Sequence, residues 1–148
     1  MTENRIEKHV DLKAAPPKVW RALTDHREFS QWFGVKLAGP FVVGKTVAGT
    51  LTYPGFEHLQ WAVDVQKMET ERLFSFTWHP FAIDATIDYS QETPTLVEFQ
   101  LTALGTGTHL VVVESGFENI PANRRLEAFR MDTEGWIEQM ENIAKYVG

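Results

Sequence analysis

One amphipathic segment near the carboxyl end, residues 121–147, constrains the fold more than any other feature of the sequence. Charged side chains, Asp132 and Glu134 among them, are assigned to its polar face. Because this spacing is that of a helix with one apolar stripe, the segment predicts a long helix that must cover its stripe with another element. The stripe recurs at three- and four-residue steps and consists of Leu126, Phe129, Thr133, Trp136, Ile137, Met140, Ile143, Ala144 and Val147.

The partner for that stripe is predicted to be a sheet, because residues 35–117 alternate in hydrophobicity and are divided by glycine and proline turns. Residues 5–13 alternate in the same way and predict a first strand. Residues 80–92 leave three interpretations open: a strand extension, a short helix or a loop. About seven strands are predicted, at residues 5–13, 35–37, 46–53, 58–67, 73–78, 95–104 and 109–117.

Two short helices are predicted between the first and second strands. Pro16 and Pro17 suit the first turn of a helix that ends near Thr24. Asp25 can cap a second helix, residues 26–33, and Gly34 can close it. The order of elements predicts an α+β fold in which a curved antiparallel sheet of six to seven strands grips the final helix. With no linker or repeat in 148 residues, we expect a single domain over residues 1–148.

Composition disfavours several classes of function. Fourteen basic against twenty acidic residues give a net charge of -6, which disfavours nucleic acid as a partner. The sequence has no cysteine, and no apolar run long enough for a signal-peptide core or a membrane span, so we expect a cytoplasmic protein. Ten Phe, five Trp and three Tyr exceed what so small a core requires. A curved sheet seldom closes flush on a helix, and the surplus rings predict a cavity between them.

Three blocks of sequence resemble one known family. APPKVWRALTD at residues 15–25 with QWFG at 31–34, LFSFTW at 73–78, and VVESGF at 112–117 with EGW at 134–136 occur in the order found in the activator of heat-shock-protein-ninety ATPase homologue family. The resemblance implies a helix-grip fold with a hydrophobic cavity. This fold is shared with lipid-transfer domains related to the steroidogenic acute regulatory protein, with the birch-pollen allergen and with polyketide cyclases.

The resemblance implies three kinds of function. The leading expectation is a non-enzymatic domain that binds a hydrophobic or amphipathic small molecule, with no cofactor. A heat-shock chaperone is the alternative partner, and a stress response the corresponding role. In the eukaryotic co-chaperone a separate amino-terminal domain carries much of the ATPase stimulation, whereas this sequence opens on the grip domain, which favours the ligand. The third is a cyclase or hydrolase with an acid or base in the cavity. Ligand identity and oligomeric state stay open.

Strand parity places Glu114 on the same face as Leu110 and Val112, which would point its carboxylate at the helix. Such a group must be paired or hydrogen-bonded, and it is our best candidate for a ligand anchor or general base. The alternative is that Glu114 is solvated or paired with an arginine, namely Arg124, Arg125 or Arg130. The predicted ligand-binding set is Trp32, Phe76, Trp78, Phe99, Glu114, Phe129, Trp136 and Met140.

Other chemistry has little local support. The histidines His9, His26, His58, His79 and His109 have no metal-ligand spacing, so no metal is expected. His79, just after Trp78, is a second weak catalytic candidate near a cavity mouth. No serine lies in a nucleophile elbow, and no glycine motif indicates a nucleotide. Gly135 inside the final helix costs about 1 kcal/mol relative to Ala, which indicates either a close packing contact or a cavity beside it.

Overall fold

A computed structural model describes residues 4–57, 59–80 and 88–148. His58 and residues 81–87, part of the segment with three open interpretations, lie outside the described residues. Residues 88–92 contain a 3₁₀ turn, Tyr89–Gln91, in which the Asp88 carboxylate accepts from the Ser90 amide.

The described chain forms seven strands and three α-helices. The two short helices are α1 (Pro16–Thr24) and α2 (His26–Phe33), and the long final helix is α3 (Ala122–Val147). The strands are β1 (Arg5–Leu12), β2 (Val35–Leu37), β3 (Thr46–Leu51), β4 (Gln60–Glu69), β5 (Leu73–Trp78), β6 (Thr95–Leu104) and β7 (Gly107–Ser115). This order of elements is the one that the sequence predicts, with a few strand ends shifted.

The sheet is antiparallel throughout, in the order β1-β7-β6-β5-β4-β3-β2. The first strand therefore pairs with the last, with Arg5 opposite Ser115. The register of β4 on β5 shifts between Val65 and Lys67, and a bulge of this kind bends a strand. The sheet can thus curve around α3, as the helix-grip architecture requires.

Local sequence explains the short helices. Proline occupies the first turn of α1, where its missing N–H leaves nothing unsatisfied. The Asp25 carboxylate accepts from the amides of Arg27 and Glu28 and so caps α2. Gly34 ends α2 in the left-handed conformation with φ of 85°. Two chain reversals thus bring α2 against the end of the sheet that holds β2 and β3.

The core lies on the concave face of the sheet, and its parity is the predicted one. Phe74, Phe76, Val97 and Phe99 are all buried there. β3 ends at Leu51, before the predicted end at Tyr53, because Pro54 and Gly55 make a turn. The Tyr53 hydroxyl donates to the Phe33 carbonyl, which ties the β3–β4 connection to α2.

Candidate functional site

Glu114 is a fully buried carboxylate on the concave face of the sheet. It lies on β7, opposite Val97 on β6 and Ile6 on β1, and its exposure is 0%. The alternation of β7 places it here, since Leu110 and Val112 on the same face are buried as well. A charge in this position is costly to bury, so its stability depends on its hydrogen-bond partners.

Three donors surround the Glu114 carboxylate. The indole N–H groups of Trp78 and Trp136 donate to Oε2 and Oε1 over 2.7 and 2.8 Å, and the Thr95 hydroxyl donates to Oε2 over 2.5 Å. The two indole rings stack with centroids 5.6 Å apart. An indole nitrogen can only donate, so both carboxylate oxygens act as acceptors. Strands β5, β6 and β7 and helix α3 therefore meet at one carboxylate, called here the Glu114 cluster (Glu114, Thr95, Trp78 and Trp136).

The arginines considered as alternative partners for Glu114 lie elsewhere. Arg124 makes a forked ion pair with Glu92, with 2.6 Å from Nη2 to Oε1, and its guanidinium lies over the Tyr89 ring. Arg125 donates to the Ile120 carbonyl, and Arg130 is exposed. Neutral donors, not an arginine, hold Glu114.

Asp132 is a second acidic group at the same place. Burial raises the pKa of Asp132 well above its ordinary value of 3.8, and the charge of Glu114 and a hydrogen bond with it raise the pKa further, against an opposing effect of Arg124. The sequence pattern predicts Asp132 on the polar face of α3, which is wrong because the residue faces inward and lines both cavities. The available signal was its position four residues before Trp136, on the same side of the helix.

A cavity of about 340 Å³ opens beside these groups, between α2, α3 and the end of the sheet near β3 and β4. A smaller cavity of about 80 Å³ adjoins it, and Phe33, Trp78, Asp132 and Gln139 line both. The larger cavity is otherwise lined by Leu51, Tyr53, Leu59, Gln60, Trp61, Ala62, His79, Pro80 and Tyr89. Its volume lies at the lower end of the range for small-molecule sites, about 300–1,000 Å³.

Three buried polar atoms in the described part of the chain have no hydrogen-bond partner, and each belongs to a residue that lines the larger cavity. They are Trp61 Nε1, His79 Nδ1 and Asp132 Oδ2. An unsatisfied buried polar group costs about 1–3 kcal/mol, so native proteins rarely keep several of them together. Their shared location marks the cavity wall as chemically incomplete.

The structure divides the predicted site residues into two groups. Trp78, Trp136 and Glu114 come together, and Trp78 and His79 line the larger cavity. Phe76, Phe99 and Met140 are buried in the core, Phe129 packs edge-on against Phe117, and Trp32 donates its indole N–H to the Ala22 carbonyl. Core rings and cavity rings alternate with the same period, so sequence alone does not separate them. Phe33, Trp61 and Asp132 also line the larger cavity, although they are not in the ligand-binding set predicted from the sequence.

Gly135 lies against open space. A Cβ built on it would meet no atom within 4 Å outside its own helix turn, and the residue lines the smaller cavity. Close packing therefore does not explain the glycine inside α3, and the adjacent cavity does. The missing side chain leaves room beside Trp78 and Trp136.

Two further findings concern metal binding and membrane-spanning helices. No group of three or more His, Cys, Asp or Glu side chains in residues 4–57, 59–80 and 88–148 could hold a metal ion. Over the same ranges, no helix is both long and apolar enough to cross a bilayer.

A seven-stranded antiparallel sheet that grips a long carboxyl-terminal helix, with a cavity between them, defines a helix-grip protein. Residues 13–148 match the family model described as Activator of Hsp90 ATPase homolog 1-like protein, and the chain belongs to this family. No curated protein matches the sequence.

Many solved structures share the fold, among them the following three. Protein MLL2253 from Mesorhizobium loti is 24% identical with a TM-score of 0.76, and the match covers 97% of this chain and 96% of that one. The Aha1 dimer from Colwellia psychrerythraea is 18% identical with a TM-score of 0.73, covering 99% and 96%. DynU16, a putative protein in the dynemicin biosynthetic locus, is 21% identical with a TM-score of 0.73; the match covers 97% of this chain but only 47% of DynU16. This chain thus spans about half the length of DynU16.

Proposed function

We propose that this protein binds a small hydrophobic or amphipathic molecule in the cavity between α2, α3 and the sheet. One observation carries the proposal: the described buried polar atoms without a partner, Trp61 Nε1, His79 Nδ1 and Asp132 Oδ2, all belong to residues lining that cavity. A ligand with polar atoms would satisfy them, so binding would recover a cost that the free protein bears.

The walls suit an aromatic or otherwise flat ligand. Phe33, Trp61 and Trp78 form a continuous set of rings, with centroids 5.4 Å apart for Phe33 and Trp61 and 6.0 Å apart for Trp61 and Trp78. Rigid rings of this kind offer large contact area at low entropic cost. The hydrogen bonds from Tyr53 and Gln139 to the Phe33 carbonyl hold the α2 side of the cavity in place before a ligand arrives.

The test is a thermal-shift screen of lipids, sterols, flavonoids, polyketide-like aromatics and short acyl compounds. A ligand at about a hundred times its dissociation constant should add about 2.7 kcal/mol, and so raise Tm by about 5–10 °C for a chain of this size. Trp61→Phe removes an N–H that has no protein partner, so it should weaken binding of every ligand that accepts from that group. Calorimetric titration of the strongest ligand measures the loss.

The matched control is Trp20→Phe, the same change on α1 in a residue that does not line the cavity. It should leave ligand affinity at the wild-type value. A flat screen across all five compound classes would overturn the proposal. Equal weakening by Trp20→Phe and Trp61→Phe would remove the Trp61 indole from the site.

A further inference from the structure

We infer that the cavity selects an organic cation, an aromatic molecule carrying a protonated amine, through the paired carboxyl groups of Asp132 and Glu114. The inference rests on the proposed function and specifies the class of ligand. It starts from the charge of the site, because aromatic walls alone accept ligands of any charge.

The carboxyl pair is the acidic feature of the described cavity wall: Asp132 lines the cavity, and Glu114 lies behind it, fully buried. The donors that hold Glu114 are neutral, and Asp132 lies close enough to Glu114 for the charge of Glu114 to raise the pKa of Asp132. Asp132 lines both cavities, and its Oδ2 has no donor directed at it within the described residues. A protonated amine would supply donors and a compensating positive charge at once.

No lysine or arginine is found among the described residues that line the larger cavity. Arg124, the basic group whose charge acts on Asp132, is engaged with the carboxylate of Glu92. An anionic ligand would therefore enter a low-dielectric space beside Glu114 with no fixed positive charge to meet it, which is unfavourable. The aromatic rings add to the preference, because ring faces attract cations.

Binding of a cation at Asp132 should make the ligand affinity depend on pH, which a merely structural role for Asp132 would not do. Within the described part of the chain, the titratable and charged groups around Asp132 are Glu114 on β7, Arg124 on α3 and, in or beside the cavity, His79, Tyr53, Tyr89 and Glu92. Because burial and Glu114 raise the pKa of Asp132, the free protein holds a proton there above the usual range. A cation favours the ionised form and expels that proton, so cation affinity rises with pH until Asp132 is ionised in the free protein.

The experiment compares three probes that share one ring system: tryptamine, which is cationic, tryptophol, which is neutral, and indole-3-propionate, which is anionic. Calorimetric titration between pH 5 and 8 should rank tryptamine first and indole-3-propionate last. We expect tryptamine to bind about tenfold or more tighter than tryptophol at pH 7, a difference of about 1.4 kcal/mol. Only tryptamine should show an affinity that increases with pH.

Asp132→Asn keeps the shape of the side chain and removes its ionisation. It should abolish the preference for tryptamine over tryptophol and the pH dependence of tryptamine binding. Glu134→Gln, an exposed acidic residue two positions along the same helix, is the control for general attraction by an acidic protein and should preserve the preference.

The outcomes separate this inference from the proposed function. Tryptophol binding as tightly as tryptamine, or a tryptamine affinity that does not change with pH, would overturn the cation preference and leave ligand binding intact. Absence of tryptamine binding would also overturn it. Failure of all three probes together with a flat thermal-shift screen would overturn both proposals.

Discussion

The Glu114 cluster and the cavity wall next to it use the same kinds of side chain in opposite ways. In the cluster, two indole N–H groups and a hydroxyl donate to one carboxylate, so the three donors and both carboxylate oxygens all have partners. On the wall, the indole N–H of Trp61, Nδ1 of His79 and Oδ2 of Asp132 have none among the described residues. The comparison shows that, among the described residues, the buried polar groups are paired where the helix joins the sheet and unpaired beside the cavity.

The two regions meet at Trp78 and Asp132. Trp78 donates to Glu114 and also lines both cavities, while Asp132, whose pKa is raised by Glu114, faces the same space. A satisfied cluster supports the rings of the wall in one position, which preorganises the site. Changes in the cluster should therefore affect stability first, and changes on the wall should affect binding first.

The largest expected effect comes from Glu114→Ala. It leaves two indole donors and the Thr95 hydroxyl without an acceptor in a dry environment, at about 1–3 kcal/mol for each orphaned group. We expect urea unfolding at pH 7 to show a loss of about 3–5 kcal/mol. The control is Glu98→Ala on the neighbouring strand, where the side chain is half-buried. A loss in Glu114→Ala no larger than in the control would mean that the cluster does not hold α3 on the sheet.

The pH dependence of the unfolding free energy should also distinguish the cavity wall, through Asp132, from the Glu114 cluster. Burial raises the pKa of Asp132 in the folded state, so unfolding releases its proton at any pH between the ordinary value of 3.8 and the raised one. Stability from this group is thus complete below 3.8 and is lost as pH rises, by about 1.4 kcal/mol per unit, until the folded-state pKa is reached.

Asp132→Asn removes that loss. The difference in unfolding free energy between the variant and the wild type, measured in urea at several values from pH 4 to 8, should increase with pH in favour of the variant. The lowered pKa values of Glu7, Asp25 and Asp88 act in the opposite sense and at lower pH, and they cancel in this difference. A difference that is constant with pH would show that Asp132 is not held protonated by its surroundings.

The smallest expected effect is a gain in stability from Gly135→Ala. The new Cβ meets open space and α3 loses an unfavourable helix residue, so we expect about 1 kcal/mol of stabilisation and a Tm higher by about 2–4 °C. Gly49→Ala is the contrasting variant, because its Cβ would lie 2.3 Å from the Lys36 carbonyl oxygen and must destabilise the sheet. A lower Tm in Gly135→Ala would indicate that the space beside Trp136 is already filled.

Much of the fold could be predicted from the sequence, because alternation, helical periodicity and turn residues are local signals. The bounds of β2, β5 and β6 agree with the prediction, and strand parity put Glu114 on the correct face. The site was less accessible to prediction, since it depends on which ring from one element meets which donor from another. Trp61 looked like any core aromatic, and Asp132 looked like a surface residue until the packing of α3 turned it toward Glu114.

The pairing of the first strand with the last has a consequence for biosynthesis. Arg5 finds its partner at Ser115, so β1 stays without a neighbour until β7 has emerged from the ribosome. Contacts this far apart in sequence form slowly, and the apolar face of the unfinished sheet is open in the meantime. The nascent chain should therefore depend on chaperones until α3 follows, and premature termination anywhere before β7 would yield a product for proteolysis rather than a smaller folded domain.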